Sequence, residues 1–211
     1  MSKLSPFQNQ VERYERWFST NHWAYEAELR AVESLLPKEG LGVEVGVGTG
    51  RFASPLGVTF GVEPVLQMAQ RAQNRGIKVL RGVAEKLPFQ NGLFDFILMV
   101  TTICFVDDIH KTVQEAYRVL TVQGDLIVAF VDRESSLGQL YEKHKEESVF
   151  YKKATFYSIA ELVGIMKQSG FKSFQFRQTL FDTAANITPE EPVSQGYGKG
   201  AFVVMRCGKT G

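Results

Sequence analysis

Cysteine is scarce: Cys104 and Cys207 are the two in 211 residues. They lie far apart, no CxxC or Cys/His cluster surrounds either, and a disulfide framework is excluded. Cys104 follows an apolar run and reads as a buried, reduced thiol, the expectation for a cytoplasmic protein. Histidine is almost as rare. His22, His110 and His144 have no ligand-like spacing, so no metal site is expected. Long apolar runs are missing as well. None approaches the roughly 20 residues of a membrane span, and the first stretch, MSKLSPFQNQVERYERWF, lacks the apolar core of a signal peptide. Charge is balanced: a formal net charge of +1 leaves no electrostatic footprint for nucleic acid or an anionic membrane. The densest basic group, Lys143, Lys145, Lys152 and Lys153, is interleaved with Glu142, Glu146 and Glu147 and reads as a solvated helical face. No internal repeat or low-complexity tract occurs. The partner this leaves is a small molecule.

What is present is one α/β domain's worth of chain. Its organising stretch is 41–51, LGVEVGVGTGR, an apolar strand running into a glycine turn and a short helix. Gly46, Gly48 and Gly50 leave three positions without a Cβ, which lets backbone N–H groups approach a ligand at the positive end of a helix. Strand and helix then alternate. A short helix at 52–56 is cut by Pro55, and strands fall at 58–62, 77–81, 94–100 and 125–132. Helices at 64–75 and 107–120 lie between them, the second ending near Gly124. Short apolar strands separated by helices predict a parallel sheet buried on both faces, with its ligand site at the carboxyl ends of the strands.

The flanks differ from this core. Ser5, Pro6 and Gln8 mark a helix start with a capping-box partner. Phe7, Val11, Tyr14, Trp17 and Phe18 then fall on one helical stripe. A second helix runs over 23–36. The aromatic stripe is a docking face or a lid over a site. Residues 133–156 are polar and aromatic, an insertion rather than a core element. Ser158 and Glu161 form a capping box opening a helix that Gly170 ends. Residues 171–181 and 201–207 alternate in polarity and, joined by a loop at 182–200, predict an antiparallel pair at one sheet edge. The segments are thus an N-terminal helical lid (1–38), a cofactor-binding core (39–132), a variable insertion (133–157), and a last helix with two closing strands (158–207).

The glycine pattern selects among ligands. A nicotinamide fingerprint, GxGxxG counted from Gly46, needs glycine at 51, where the chain has Arg51; no Gly-Lys-Ser/Thr follows for a phosphate loop. By contrast VEVGVGTG, GVEP at 61–64, GVAEKLPF at 82–89, FDFILM at 94–99 and EAYRVLTVQGDLIVAF at 115–130 follow in the order of the class I S-adenosylmethionine-dependent methyltransferase motifs. The chain resembles that family over roughly 40–207. The resemblance implies a three-layer Rossmann-like fold: a mostly parallel seven-stranded sheet with an antiparallel C-terminal strand and helices on both faces. It implies S-adenosylmethionine as cofactor and an enzyme moving its methyl group to an N, O, S or C nucleophile.

Site residues follow from the same resemblance. Glu44 helps position the methionine end, unless it is a strand carboxylate bonded to backbone. Gly46, Val47, Gly48 and Gly50 form the turn that the ligand approaches. Glu63, followed by Pro64, stands where a carboxylate accepts from both ribose hydroxyls; the bland alternative is a helix-start residue. Ala84 and Glu85 meet the adenine edge, and the usual preceding Asp is Val83 here. Thr101 and Thr102 follow the fourth strand, where they either face the cofactor and acceptor or are satisfied within a turn. Methyl transfer needs placement more than acid–base machinery, and no triad or paired carboxylate is committed to it, so no catalytic residue is named. His110 reads as a surface residue. Acceptor contacts are expected from Tyr14, Trp17, Phe18, Thr102 and Tyr151, with Phe150 and Phe156 nearby in sequence. The competing readings are a cofactor-binding protein without turnover that acts through a partner, and a nicotinamide-dependent oxidoreductase.

Overall fold

The computed structural model describes residues 5–183 and 186–210; the side chains of Ser5 and Pro6, and with them the expected Ser5 cap, lie outside the described residues. Strands β1 (Gly42–Val45), β2 (Phe60–Val62), β3 (Lys78–Leu80), β4 (Phe94–Val100), β5 (Leu120–Val131), β6 (Phe171–Thr179), β7 (Ser194–Gln195) and β8 (Phe202–Lys209) form one sheet in the order β3-β2-β1-β4-β5-β8-β6-β7. The first five strands are parallel, and β8 runs antiparallel between β5 and β6. Strand order reverses between β1 and β4, which puts the crevice at their carboxyl ends.

Period-two alternation builds the three layers. On β4 and β5, Ile97, Met99, Leu126 and Val128 join a core with Val113 and Ala116 of α5 (Ile109–Val119) and Leu162 and Met166 of α7 (Ile159–Gln168). Leu98, Val100, Ile127 and Ala129 pack on the other face with Ala27, Ala31 and Val32 of α3 (His22–Glu33) and with Ala72 of α4 (Leu66–Asn74). Cys104 and Cys207 are both buried free thiols. Among the described residues no helix is long and apolar enough to cross a membrane.

The sheet has one strand more than the sequence suggests. Ser194 and Gln195, inside the expected loop, pair with Gln178 and Arg177 at the edge. Strand β5 starts at Leu120, directly out of α5, instead of at 125. Its register against β4 jumps from Leu120 to Asp125, across a turn in which Gln123 has φ +70°. Residues 52–56 make turns with no regular helix: Leu56 N–H bonds Phe52 O, Val58 N–H bonds Ala53 O, and Pro55 has no N–H to give. The N-terminal helix is broken at Gln10 into α1 (Ser5–Asn9) and α2 (Val11–Thr20). The insertion carries α6 (Ser136–Lys143), capped by Ser135. Its charges pair locally, Lys145 with Glu142 at 3.4 Å and Lys152 with Glu146 at 3.5 Å.

The capping box at Ser158 forms in both directions: Glu161 N–H donates to Ser158 Oγ at 3.3 Å, and Ser158 N–H donates to Glu161 Oε2 at 2.7 Å. Ser158→Ala is expected to cost about 1 kcal/mol, read as a lower urea midpoint at unchanged slope.

Candidate functional site

Strand β1 ends in the glycine turn, where Gly46, Gly48 and Gly50 take φ +72°, +55° and +84°. These left-handed conformations disfavour any side chain. The three glycines nevertheless do different work. A Cβ on Gly46 would lie 2.4 Å from Thr102 Oγ1, which donates to Val45 O and Val100 O at 3.1 Å each and so staples the end of β1 to that of β4. Gly48 faces the Tyr14 hydroxyl, and its N–H donates to Glu63 Oε2 at 2.9 Å. Gly50 is a packing residue, since a Cβ there would meet Ile77 and Ala72 beneath α4.

At the carboxyl ends of β1, β2 and β4 lies a cavity of about 210 Å³. On the β2–β3 side its wall holds Gly46, Gly48, Glu63, Pro64, Ala84 and Glu85; on the β5 side it holds Ala24, Glu28, Val131, Leu137, Tyr141 and Tyr151. Thr101 and Thr102 stand between, and Phe7, Tyr14, Trp17, Phe18, Phe105 and Phe150 complete the enclosure. Ring contacts knit the N-terminal helices to the loop after β4 and to the insertion, where Phe7 meets Phe105 at 4.8 Å and Phe150 at 5.3 Å; within the insertion Tyr141 stacks on Tyr151 at 4.8 Å.

Most residues singled out from the sequence therefore share one wall, including Tyr14, Trp17, Phe18, Thr102 and Tyr151. Glu44, Val47 and Gly50 stand off it. Val47 packs against Gly61 in the core. Glu44 is 2% exposed under the turn, its Oε2 has no hydrogen-bond partner among the described residues, and burial pushes its carboxyl well up against the opposing Ala53 N–H. Phe156 is buried with Cys104 and Ala154 below the insertion, and His110 is exposed on α5.

The charged side chains on the wall are all acidic: Glu28, Glu63, Glu85 and Asp107. Among the described residues no Lys, Arg or His lines it. Glu63 is 5% exposed and accepts from Val65 N–H through Oε1 and from Gly48 N–H through Oε2. Burial raises its pKa above the ordinary carboxylate value despite these two donors. Glu85 Oε1 accepts from Asp107 N–H at 2.6 Å and Asp108 N–H at 3.3 Å, bracing the loop after β4. Glu28 has no such support, and burial alone pushes its carboxyl up to about 8.

Glu28 was not singled out from the sequence. It sits on the buried stripe of α3 with Ala24, Ala27, Ala31 and Val32, and an acid on an otherwise small apolar stripe is the signal that marks it. Tyr141, Leu137 and Phe105 carried no signal of their own, because the tertiary fold alone brings them to the wall.

Helix α2 is fastened over the turn by Glu15. Its carboxylate pairs with Arg51 at 2.5 Å and Arg75 at 2.8 Å and accepts from Thr49 Oγ1. Burial raises the Glu15 pKa, but the hydrogen bonds from Arg51, Thr49 and Arg75 outweigh it and hold the group low. Arg71 of α4 pairs with Glu12 farther along the same helix.

The methyltransferase-domain family model matches residues 43–128. The crystal structure of an S-adenosylmethionine-dependent methyltransferase of Thermotoga maritima, a possible histamine N-methyltransferase, superposes with a TM-score of 0.96. It shares 54% identity over 99% of this chain and 100% of that one. An uncharacterized protein of Methanocaldococcus jannaschii is 40% identical over 98% of this chain and 100% of its own length. The protein bound to the Trm112 methyltransferase activator of Haloferax volcanii shares the fold, with a TM-score of 0.70 at 17% identity over 97% of this chain and 98% of that one.

Proposed function

The chain belongs to the S-adenosylmethionine-dependent methyltransferases, and from that premise we propose that it methylates a small-molecule acceptor held on the Glu28–Tyr141–Tyr151 side of the cavity. It is an enzyme, and its cofactor is S-adenosylmethionine. The observation that carries the acceptor reading is the continuity of the cavity, which joins the glycine turn and Glu63 to an aromatic chamber with no basic side chain among its described lining residues. The possible acceptor of the Thermotoga maritima relative, histamine, is also a small molecule. Neither competing reading, binding without turnover or nicotinamide chemistry, gains support from fold or relatives.

The residues present fit the cofactor. Each Glu63 oxygen accepts one backbone N–H and keeps a lone pair free, so the carboxylate offers two adjacent acceptor positions to a vicinal diol. Gly46 and Gly48 present bare backbone to the cavity, and among the described residues no cation on the wall opposes a sulfonium. Residues 82–85 line the wall beyond Glu63, where Ala84 leaves room for a flat base and Glu85 is occupied with bracing the neighbouring loop. Bound S-adenosylmethionine supplies an electrophilic methyl carbon on a sulfonium, a good leaving group. The chain's own part is to align the acceptor and exclude water. The aromatic enclosure formed by Phe7, Phe105, Phe150 and Tyr151 does the latter.

Two measurements test this. Glu63→Ala is expected to weaken binding of S-adenosylhomocysteine by about 2 kcal/mol, roughly 30-fold, the scale of losing charge-assisted hydrogen bonds. A folded variant with unchanged affinity would make Glu63 a helix-start residue only. Production of S-adenosylhomocysteine should appear on a panel of small nucleophiles, and its absence on a broad panel would argue for binding without turnover.

A further inference from the structure

Of the charged side chains on the cavity wall, Glu63 and Glu85 are each held by two backbone N–H groups, and Asp107 is exposed. Glu28 differs from all three. It is 6% exposed, it lies on the wall, and desolvation is the sole cause of its shift, with no hydrogen-bond donor and no cation opposing it among the described residues. A buried carboxyl of that kind is costly unless something arrives to pair with it. Packing does not require it, because its neighbours on α3 are Ala24, Ala27, Ala31 and Val32. The groups facing it from other elements are the phenols of Tyr14 on α2, Tyr141 on α6 and Tyr151 on the turn beyond, each of which registers the Glu28 charge. None of the three is a cation. All three are raised, first by burial, and stay neutral at physiological pH.

We propose that Glu28 is the catalytic group that anchors and deprotonates the methyl acceptor, and that the acceptor is a primary or secondary amine entering as its ammonium ion. This rests on the methyltransferase reading above. A carboxylate paired with an ammonium inside an aromatic wall combines a charge-assisted hydrogen bond with cation–π attraction from Trp17, Tyr141 and Tyr151. An ammonium is not a nucleophile, and it would face a sulfonium of like charge. Both problems end with one proton transfer. The N–H proton passes to a Glu28 oxygen, leaving a neutral nitrogen with its lone pair. That pair forms the C–N bond to the methyl carbon as the C–S bond breaks, its electrons staying on sulfur. The product is a methylated ammonium beside a neutral thioether, and the proton on Glu28 leaves to solvent. A base whose pKa lies near the working pH is suited to this exchange.

Before an acceptor binds, burial holds the Glu28 pKa at about 8, so the carboxyl is mostly protonated at pH 7. Pairing with an ammonium ionises it, so binding must release a proton, and affinity must rise with pH up to about that value. The test uses the 211-residue chain saturated with S-adenosylhomocysteine, titrated calorimetrically with 2-phenylethylamine, 3-phenylpropan-1-ol and 3-phenylpropionate in buffers of different ionisation enthalpy. The amine is expected to bind at least tenfold more tightly than the alcohol or the acid, releasing close to one proton at pH 7. Glu28→Gln should bind S-adenosylhomocysteine as wild type does, while losing tenfold or more in amine affinity and all of the proton release. Equal affinity of wild type for amine and alcohol would overturn the proposal, even if the variant failed to fold. So would a folded variant with unchanged amine binding and proton release. Failure of wild type to bind S-adenosylhomocysteine would instead strike at the methyltransferase reading beneath it.

Discussion

At pH 7 the Glu28→Gln protein is expected to be more stable than wild type by on the order of 3 kcal/mol, and the advantage should shrink toward pH 4. The sign follows from the direction of the shift. Burial raises the Glu28 pKa from its ordinary 4.5 to about 8, so the folded chain holds this proton more tightly than the unfolded one. Below pH 4.5 both states are protonated and Glu28 costs nothing by ionisation. Between 4.5 and 8 the unfolded state ionises while the folded state resists, and stability drains away as pH rises. Above 8 both are ionised and the loss levels off. Glutamine keeps the shape and removes the titration. Urea melts of both proteins at intervals from pH 4.5 to 8.5 measure the difference directly. A pH-independent gap would mean that the Glu28 carboxyl is solvated or paired in the folded protein. A stabilising substitution at the residue proposed to hold the acceptor also fits the general conflict between stability and function at binding sites.

The same residue marks where sequence reading stops. The near-continuous apolar runs FDFILMV and DLIVAFV announce strands buried on both faces, and β4 and β5 have the two-sided packing this implies. The Ser158–Glu161 spacing announces a helix start, and the box forms. Those signals are local, so they survive without the fold. The two residues of β7 have no periodicity to display, and their pairing exists because β6 offers an edge. Gly46, Gly48 and Gly50 look alike in the motif, yet Gly50 is needed by Ile77 and Ala72, partners more than twenty residues away. The cavity is the extreme case: its aromatic enclosure draws Phe7, Phe105, Phe150 and Tyr151 from three separated segments. Tyr14, Trp17, Phe18 and Tyr151 could be picked out by their aromatic character, whereas Glu28, Leu137 and Tyr141 on the same wall could not, because only long-range contacts bring them there.

Helix α2 supplies the other large expected effect. The aromatic stripe suggests a docking face or a lid over a site, and Phe18 is 5% exposed and meets Tyr25 at 5.1 Å, while Tyr25 in turn meets Phe52 at 5.6 Å. Removing residues 1–20 would therefore take core with it, and a single substitution at the clasp is the sharper probe. Glu15 is 11% exposed, against 30% for Arg51 and 28% for Arg75. Glu15→Ala leaves two guanidinium groups and the Thr49 hydroxyl without their acceptor. The arginines are partly solvated, which places the cost near the low end for breaking a buried pair, roughly 3 kcal/mol. The glycine turn should suffer first, since Thr49 and Arg51 belong to it and Arg75 also donates to Thr49 O at 2.5 Å. Dissociation of S-adenosylhomocysteine is accordingly expected to quicken about tenfold, the kinetic equivalent of ~1.4 kcal/mol, as measured by stopped-flow displacement. Glu12→Ala serves as the control. Its carboxylate is 75% exposed where it meets Arg71, and it should change neither stability nor off-rate by a measurable amount. If the two substitutions behave alike, α2 is held by its apolar face alone and Glu15 is no clasp.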